Sequence, residues 1–258
     1  MTEVAMKPDD TKPAAKIRVD QLLVDRGLAD SREKAQALII AGEVVVNGQK
    51  AIKPGHSVAM ESRVEVLHRM PYVSRGGYKL AGALDHWALD VTGWICLDVG
   101  ASTGGFTDCL LQRGAPKVWA IDVGHGQIDW KLRSEARVVV QEGVNARYLS
   151  AADFPQKFEL VVCDASFISL TLLIPALVPL LAPHGRMILL VKPQFEVERG
   201  QVGKGGIVRE PAMHLAACDR VRGAIEAQGF RADIIESPIL GAEGNREFLL
   251  YASRESRH

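Results

Sequence analysis

The 258-residue sequence has no charge excess of either sign: Lys and Arg total 31, and so do Asp and Glu. An overall basic field, the usual advertisement of a nucleic-acid partner, is therefore missing, and any such site has to come from local placement of charge. Cysteines are few, and none of Cys96, Cys109, Cys163 and Cys218 belongs to a Cys-x-x-Cys pair. Their apolar neighbours suit buried thiols in a reducing compartment, which argues against a disulfide framework or zinc and predicts no metal site. A long hydrophobic run is missing too. The longest, Leu170 to Ala182, is interrupted by Pro175 and Pro179 and is too short to span a bilayer. Residues 1–16 are polar and carry prolines and lysines without an apolar signal-peptide core, so they read as a disordered tail. A cytoplasmic protein with no membrane association is expected, and no obligate protein partner is evident.

What the sequence does hold is a hydrophobic content of 47%, enough for one full α/β core and a smaller module. The module occupies 17–67. Val19, Leu22 and Leu23 fit a short helix stopped by Gly27, and Ser31 is placed to cap a second helix that carries Lys34, Ala35, Leu38 and Ile39 and ends near Gly42. Val44–Val46, the turn pair Asn47-Gly48, and β-like runs at Ser57–Met60 and Val64–Leu67 follow. The order D-x-x-L…G…S-R-x-x-A…I-x-x-G-x-V-x-V-N-G resembles the small α+β RNA-binding domain of ribosomal protein S four, pseudouridine synthases and bacterial tyrosyl-tRNA synthetases. Lys16 to Arg69 holds nine basic and seven acidic residues, so charge alone does not point to RNA. The motif order does. The resemblance implies that Arg18, Arg32, Lys34 and Lys50 contact phosphates, which supplies affinity and register but little sequence information.

His68 to Gly77 interrupts both periodicities with Pro71 and Gly76-Gly77 and reads as a linker; a helix is predicted from Tyr78 to Leu89. The larger domain, 78–258, then alternates strands and helices as a doubly wound sheet requires. Trp94–Leu97 runs directly into D-V-G-A-S-T-G-G-F-T-D, a strand, a glycine-rich loop and a helix. This is neither G-x-G-x-x-G nor a P-loop, which weakens a dinucleotide or nucleoside triphosphate. It resembles the first motif of S-adenosylmethionine-dependent methyltransferases. The resemblance implies a donor site built from Asp98, Gly100, Ser102, Thr103, Gly104, Gly105 and Phe106. Asp122, 24 residues beyond Asp98 at the end of the next strand, is assigned to the donor ribose, and Asn145 to its adenine.

Further strands are predicted at Arg137–Val140, Glu159–Cys163 and Arg186–Val191, with a helix over Leu170–Leu181 and a last strand opening at Asn245. Asp164-Ala-Ser-Phe lacks the prolines of the base-nitrogen methylases, and Cys163 lies inside a strand where a C5-methylase nucleophile does not belong. Lys79, Asp164, Lys192 and Glu247 fall in the chain order K-D-K-E, which resembles the heat-shock-type, FtsJ-like RNA 2′-O-methyltransferases. A ribose hydroxyl is a poor nucleophile, so a lysine able to become neutral beside it is useful. Lys192 is read as that base, with Lys79 as the cation that lowers its pKa and the two acids as orienting groups. A glycine-rich stretch with Arg199, Lys204 and Arg209 is read as a lid over the RNA backbone in preference to a merely flexible loop, because it leaves the strand directly after Lys192.

The pairing of the two domains, with S-R-G-G-Y-K-L, C-D-A-S-F-I-S-L and L-V-K-P-Q-F-E, resembles the TlyA family over nearly the full chain. That resemblance implies a Rossmann-like methyltransferase sheet behind the RNA-binding domain, S-adenosylmethionine as cofactor, and cytidine 2′-hydroxyls of ribosomal RNA, in 16S or 23S or in assembled subunits, as substrate. Two other readings stay open: a membrane-lytic protein, following the haemolysin label some members carry, and a non-catalytic assembly factor that only senses the donor.

Overall fold

A computed structural model describes residues 15–51, 53–67, 71–198, 200, 202–241 and 244–254. Residues 1–14 of the expected tail, 68–70 of the expected linker, Arg199 and the Lys204 side chain lie outside what is described. The chain divides into two compact units, Met1–Arg69 and Met70–His258.

The smaller unit runs β1 (Lys16–Arg18), α1 (Val19–Asp25), α2 (Arg32–Ile40), β2 (Val44–Val46), β3 (Gln49–Lys50), β4 (Ser57–Ala59) and β5 (Val64–Val66). Ser31 Oγ accepts from Lys34 N at 3.2 Å and starts α2 as an N-cap. Asn47 and Gly48, at φ 50° and 81°, supply both left-handed positions of the two-residue turn between β2 and β3. β2 lies between β3 and β5, and β1 pairs antiparallel with β4. Lys16, placed in the tail by composition, is thus the first residue of a paired strand. Val19, Leu22, Leu23, Ala35, Ile39 and Val44 form the core under the helix pair.

The larger unit begins with α3 (Gly76–His86) and continues β6 (Ile95–Val99), α4 (Gly105–Gln112), β7 (Lys117–Asp122), α5 (Trp130–Arg133), β8 (Val138–Glu142), β9 (Phe158–Cys163) and α6 (Leu170–Leu177). It ends with β10 (Leu181–Val191), α7 (Pro193–Glu196), α8 (Pro211–Glu226), β11 (Arg231–Glu236) and β12 (Phe248–Ser253). The strands form one seven-stranded sheet in the order β11-β12-β10-β9-β6-β7-β8. β12 is antiparallel to both neighbours; the other pairs are parallel. Alternate residues serve opposite faces: Leu97, Val161 and Leu189 join one core cluster with α6 and α8, while Cys96, Leu160, Val162 and Ile188 join the other with α3 and α4.

Several boundaries depart from the sequence reading: β8 runs Val138–Glu142, β10 already starts at Leu181, and α3 ends at His86. Three further departures have a visible cause. The Gly76-Gly77 pair does not break the chain but forms the first turn of α3, because a side chain at Gly77 would enter the Tyr72 ring and the backbone of Gly105 packs against Gly76. The helix α6 stops at Leu177, since Pro179 lacks an N–H and the chain tightens into a 3₁₀ turn before β10. The last strand opens at Phe248, three residues late, because the Asn245 side chain is committed to holding a loop: Oδ1 accepts from Val208 N and Nδ2 donates to Gly206 O, both at 3.0 Å.

Phe158 is fully buried where β9 enters the sheet and meets Phe154 edge to face at 5.1 Å. Phe158→Ala is expected to lower stability by about 3–5 kcal/mol. Urea denaturation should show this as a lower midpoint with an unchanged slope.

Candidate active site

The chain builds outward from β6 through β7 to β8, then returns to the other side of β6 with β9. The crevice at that reversal is where open α/β sheets place ligands. Its two lips are the loop after β6 and the loop after β9. They touch: Asp164 N donates to Val99 O at 2.9 Å, and a Cβ on Gly100, at φ 78°, would stand 2.8 Å from the Asp164 carbonyl oxygen. Gly105, at the start of α4, is equally confined, by Ser74 and Gly77. Part of the glycine requirement is therefore met by protein packing against protein and not by a ligand alone.

A cavity of about 440 Å³ opens here, within the roughly 300–1,000 Å³ typical of ligand pockets. Gly100, Ser102, Thr103, Gly105 and Phe106 form one wall. Ser74, Arg75 and Lys79 form a second, and Asp164, Ser166 and Lys192 a third. Arg75 is steadied by donating to Leu240 O at 3.0 Å.

The remaining expected donor residues stand apart from this wall. Asp98 lies behind the loop, fully buried, with Oδ2 accepting from Thr107 Oγ1 at 2.6 Å and Oδ1 without a hydrogen-bond partner among the described residues. Burial pushes its carboxyl up to about 7, opposed by the Thr107 bond and helped by the charges of Asp164 and Asp122. Asp122 ties the end of β7 to the loop, accepting from Ser102 N at 2.8 Å and Gly124 N at 2.7 Å. Gly104 packs against Leu132. Asn145 is exposed and caps a 3₁₀ turn, its Oδ1 accepting from Arg147 N at 3.1 Å.

Three members of K-D-K-E, Lys79, Asp164 and Lys192, line the cavity, and Glu247 is bonded to the first of them. Lys79 Nζ donates to Glu247 Oε2 at 2.6 Å, with both side chains buried. Lys192 Nζ pairs with Asp164 Oδ1 at 2.6 Å and donates to Ser166 Oγ at 2.8 Å. Each lysine has its own carboxylate, so the cations of the cavity wall are held in two separate ion pairs.

Several residues at this site carried no assigned role in the sequence. Ser166 holds Lys192. Glu196 is buried, accepting from Leu170 N at 2.7 Å and Ser169 Oγ at 2.6 Å, so it caps α6 and ties the Asp164–Ser169 loop to α7. Phe167 projects 91% exposed at φ 64°, beside the Phe195 ring at 5.2 Å. An aromatic ring in solvent on a strained backbone is costly for folding alone. Its only sequence signal was its place three residues after Asp164. Of the glycine-rich stretch read as a lid, Gly206 and Val208 are held by Asn245, and His214 Nε2 bonds Val208 O at 2.9 Å.

In the smaller unit, Arg18 and Arg32 both reach Asp20, Lys34 pairs with Asp30 at 3.3 Å, and Lys50 is exposed on β3. Among the described residues no helix is long and apolar enough to cross a membrane.

The FtsJ-like methyltransferase family model matches residues 72–254, and the S4 domain model matches 17–64. The chain is 45% identical to the 16S/23S rRNA (cytidine-2′-O)-methyltransferase TlyA of Mycobacterium tuberculosis, over 92% of this chain and 90% of that protein. It is 42% identical to Hemolysin A of Brachyspira hyodysenteriae, over 91% of this chain and 99% of that protein. A solved Streptococcus thermophilus protein that carries a hemolysin name superposes with a TM-score of 0.72 at 43% identity, covering 92% of this chain and 88% of its own.

Asp98 sets an expectation for stability. An acid with a folded pKa of about 7 against an ordinary 3.8 favours the fold when protonated, so stability is full below pH 4 and falls as pH rises toward 7. At about 1.4 kcal/mol for each pH unit this is worth on the order of 4 kcal/mol. Asp98→Asn, which keeps the Thr107 bond, is expected to flatten that slope and to raise the thermal midpoint at pH 8. An unchanged pH profile for the variant would show that Asp98 is ionised in the fold at no cost.

Proposed function

This chain belongs to the TlyA family of FtsJ-like methyltransferases, and from that premise we infer that it transfers a methyl group from S-adenosylmethionine to a cytidine 2′-hydroxyl of ribosomal RNA. The observation that carries the chemistry is the pair of lysine–carboxylate contacts on the walls of the cavity at the sheet's reversal point. S-adenosylmethionine supplies a methyl group on a sulfonium, so the methyl carbon gains a bond to the ribose oxygen and loses its bond to sulfur. The hydroxyl proton must leave as well.

Lys192 Nζ receives that proton. Asp164 and Ser166 hold the Lys192 amine at the cavity wall, where it is placed to take the proton of an arriving hydroxyl. Lys79, fixed by Glu247, steers the ribose oxygen. Attack must be in line, which makes positioning by these buried pairs the larger part of the catalysis.

The backbone of Gly100–Thr103 with Gly105 and Phe106, and the side chains of Ser74 and Arg75, hold the amino-acid end of the donor. Asp98 supports that loop from behind. Each carboxylate oxygen of Asp122 keeps a lone pair beyond its backbone bond, which suits ribose hydroxyls. Asn145 meets the adenine edge, and Gly104 fixes the loop's turn. Phe167 offers an exposed face on which a base near the target can stack. Arg18, Arg32, Lys34 and Lys50 contact phosphates. A ribosomal substrate implies work in the cytoplasm.

The test is incubation of the protein with labelled donor and each ribosomal subunit. Label is expected in RNA, at a linkage that resists alkaline cleavage because its 2′-oxygen is blocked. Lys192→Ala is expected to lower the rate at least about 100-fold while donor affinity stays unchanged. Labelled base or labelled protein in place of labelled ribose, or undiminished transfer by the variant, would overturn the reading.

A further inference from the structure

Arg18 and Arg32 share a single carboxylate. Asp20, in the first turn of α1, is fully buried, yet it receives five hydrogen bonds. Oδ1 accepts from Arg18 Nε and Gln21 N, each at 2.9 Å. Oδ2 accepts from Arg18 Nη2 at 2.7 Å, Gln36 Nε2 at 3.0 Å and Arg32 Nη2 at 3.3 Å. The Arg18 contact holds the Asp20 carboxyl well below the usual carboxylate range. Both arginine side chains remain 48% exposed. The bonds to Asp20 use two N–H groups of Arg18 and one of Arg32, which leaves most of each guanidinium's five donors for another acceptor. Arg18 also lies flat on the turn before β4, where a side chain at Gly55 would stand 3.3 Å from Nη1.

A carboxylate is an odd neighbour for a phosphate site, because it removes one of the two positive charges there. Buried ion-pair networks of this kind often add little to stability over apolar residues of similar size. What they do provide is fixed geometry, and a planar guanidinium recognises phosphate through geometry.

We propose that Asp20 is a positioning residue of the RNA site: it locks Arg18 and Arg32 side by side as one phosphate clamp, at the cost of one unit of positive charge. The proposal rests on the reading of the chain as an RNA methyltransferase and deepens its RNA-binding part. It makes a prediction opposite to that of charge counting. Asp20→Asn adds a net positive charge, so a site governed by charge binds RNA more tightly. A site governed by geometry binds its target more weakly.

The experiment compares the full chain with Asp20→Asn for filter binding of the labelled ribosomal subunit and of an unrelated RNA duplex, across salt concentrations. Subunit affinity is expected to fall at least 10-fold, duplex affinity to hold or rise, and KM for the subunit to rise with kcat and the donor KM unchanged. Equal or tighter subunit binding by the variant overturns the proposal. If Asp20→Asn unfolds the small unit, seen as lost helix signal and new protease sites, the Arg18→Lys/Arg32→Lys double variant decides. It keeps the charge but not the fork, so the same loss of subunit affinity supports the clamp and wild-type affinity overturns it. Binding is measured without methyl transfer. A wild-type protein that binds but never labels RNA counts against the enzymatic reading alone, and an active wild type matched by Asp20→Asn counts against the clamp alone.

Discussion

The apposition of two strand ends, β6 and β9, is the constraint on which the rest of the larger unit depends. Val99 and Asp164 are joined by a backbone hydrogen bond, and Gly100 has no side chain because the Asp164 carbonyl occupies the space one would need. That contact sets the spacing between the glycine-rich loop and the loop that carries Asp164, Ser166 and Phe167. The same loop is fastened at its far side to α7, through Lys192 at one end and Glu196 at the other. A methyl donor and a ribose oxygen have to meet at a fixed distance and angle, and in the proposed reading the sheet's reversal point supplies the fixed distance.

Much of this was legible in the residues. The hairpin turn at Asn47-Gly48, the Ser31 cap and the alternation of strands and helices follow from local rules, and local rules hold where the backbone acts on itself. K-D-K-E was legible as an order but not as a geometry. Nothing in the spacing says that Lys79 belongs to Glu247 and Lys192 to Asp164, since that pairing is set by how β12 and β9 flank β10. Two of the misread boundaries share a cause. Gly76-Gly77 and Asn245 were judged by what they do to their own segment, whereas each is used for a neighbour; Pro179 ends α6 by a local rule.

Asp98 and Asp20 show how differently two buried carboxylates can be placed. Asp98 has one bonded oxygen and one bare one, so its charge is disfavoured and its contribution varies with pH. Asp20 has every lone pair directed at a donor and stays ionised. The first lies beside a loop read here as meeting a cation, the second beside arginines read as meeting an anion. Neither role is visible from residue type or from local hydrophobic pattern, because both depend on which donors the fold delivers.

The position of β12 bears on the order in which the molecule forms. It lies in the sheet between β10 and β11, both of which precede it in the chain, so β11 is joined to the sheet through β12. Such non-local closure is slow compared with helix and hairpin formation. Glu247 stands immediately before this strand and meets Lys79 across 168 residues of sequence. The glycine-rich loop thus draws its contacts from β6, β7 and β9, whereas Lys79 draws its carboxylate from the entrance to the last strand. Shortening the chain before Phe248 would remove the seat of that carboxylate and leave the contacts of the loop in being.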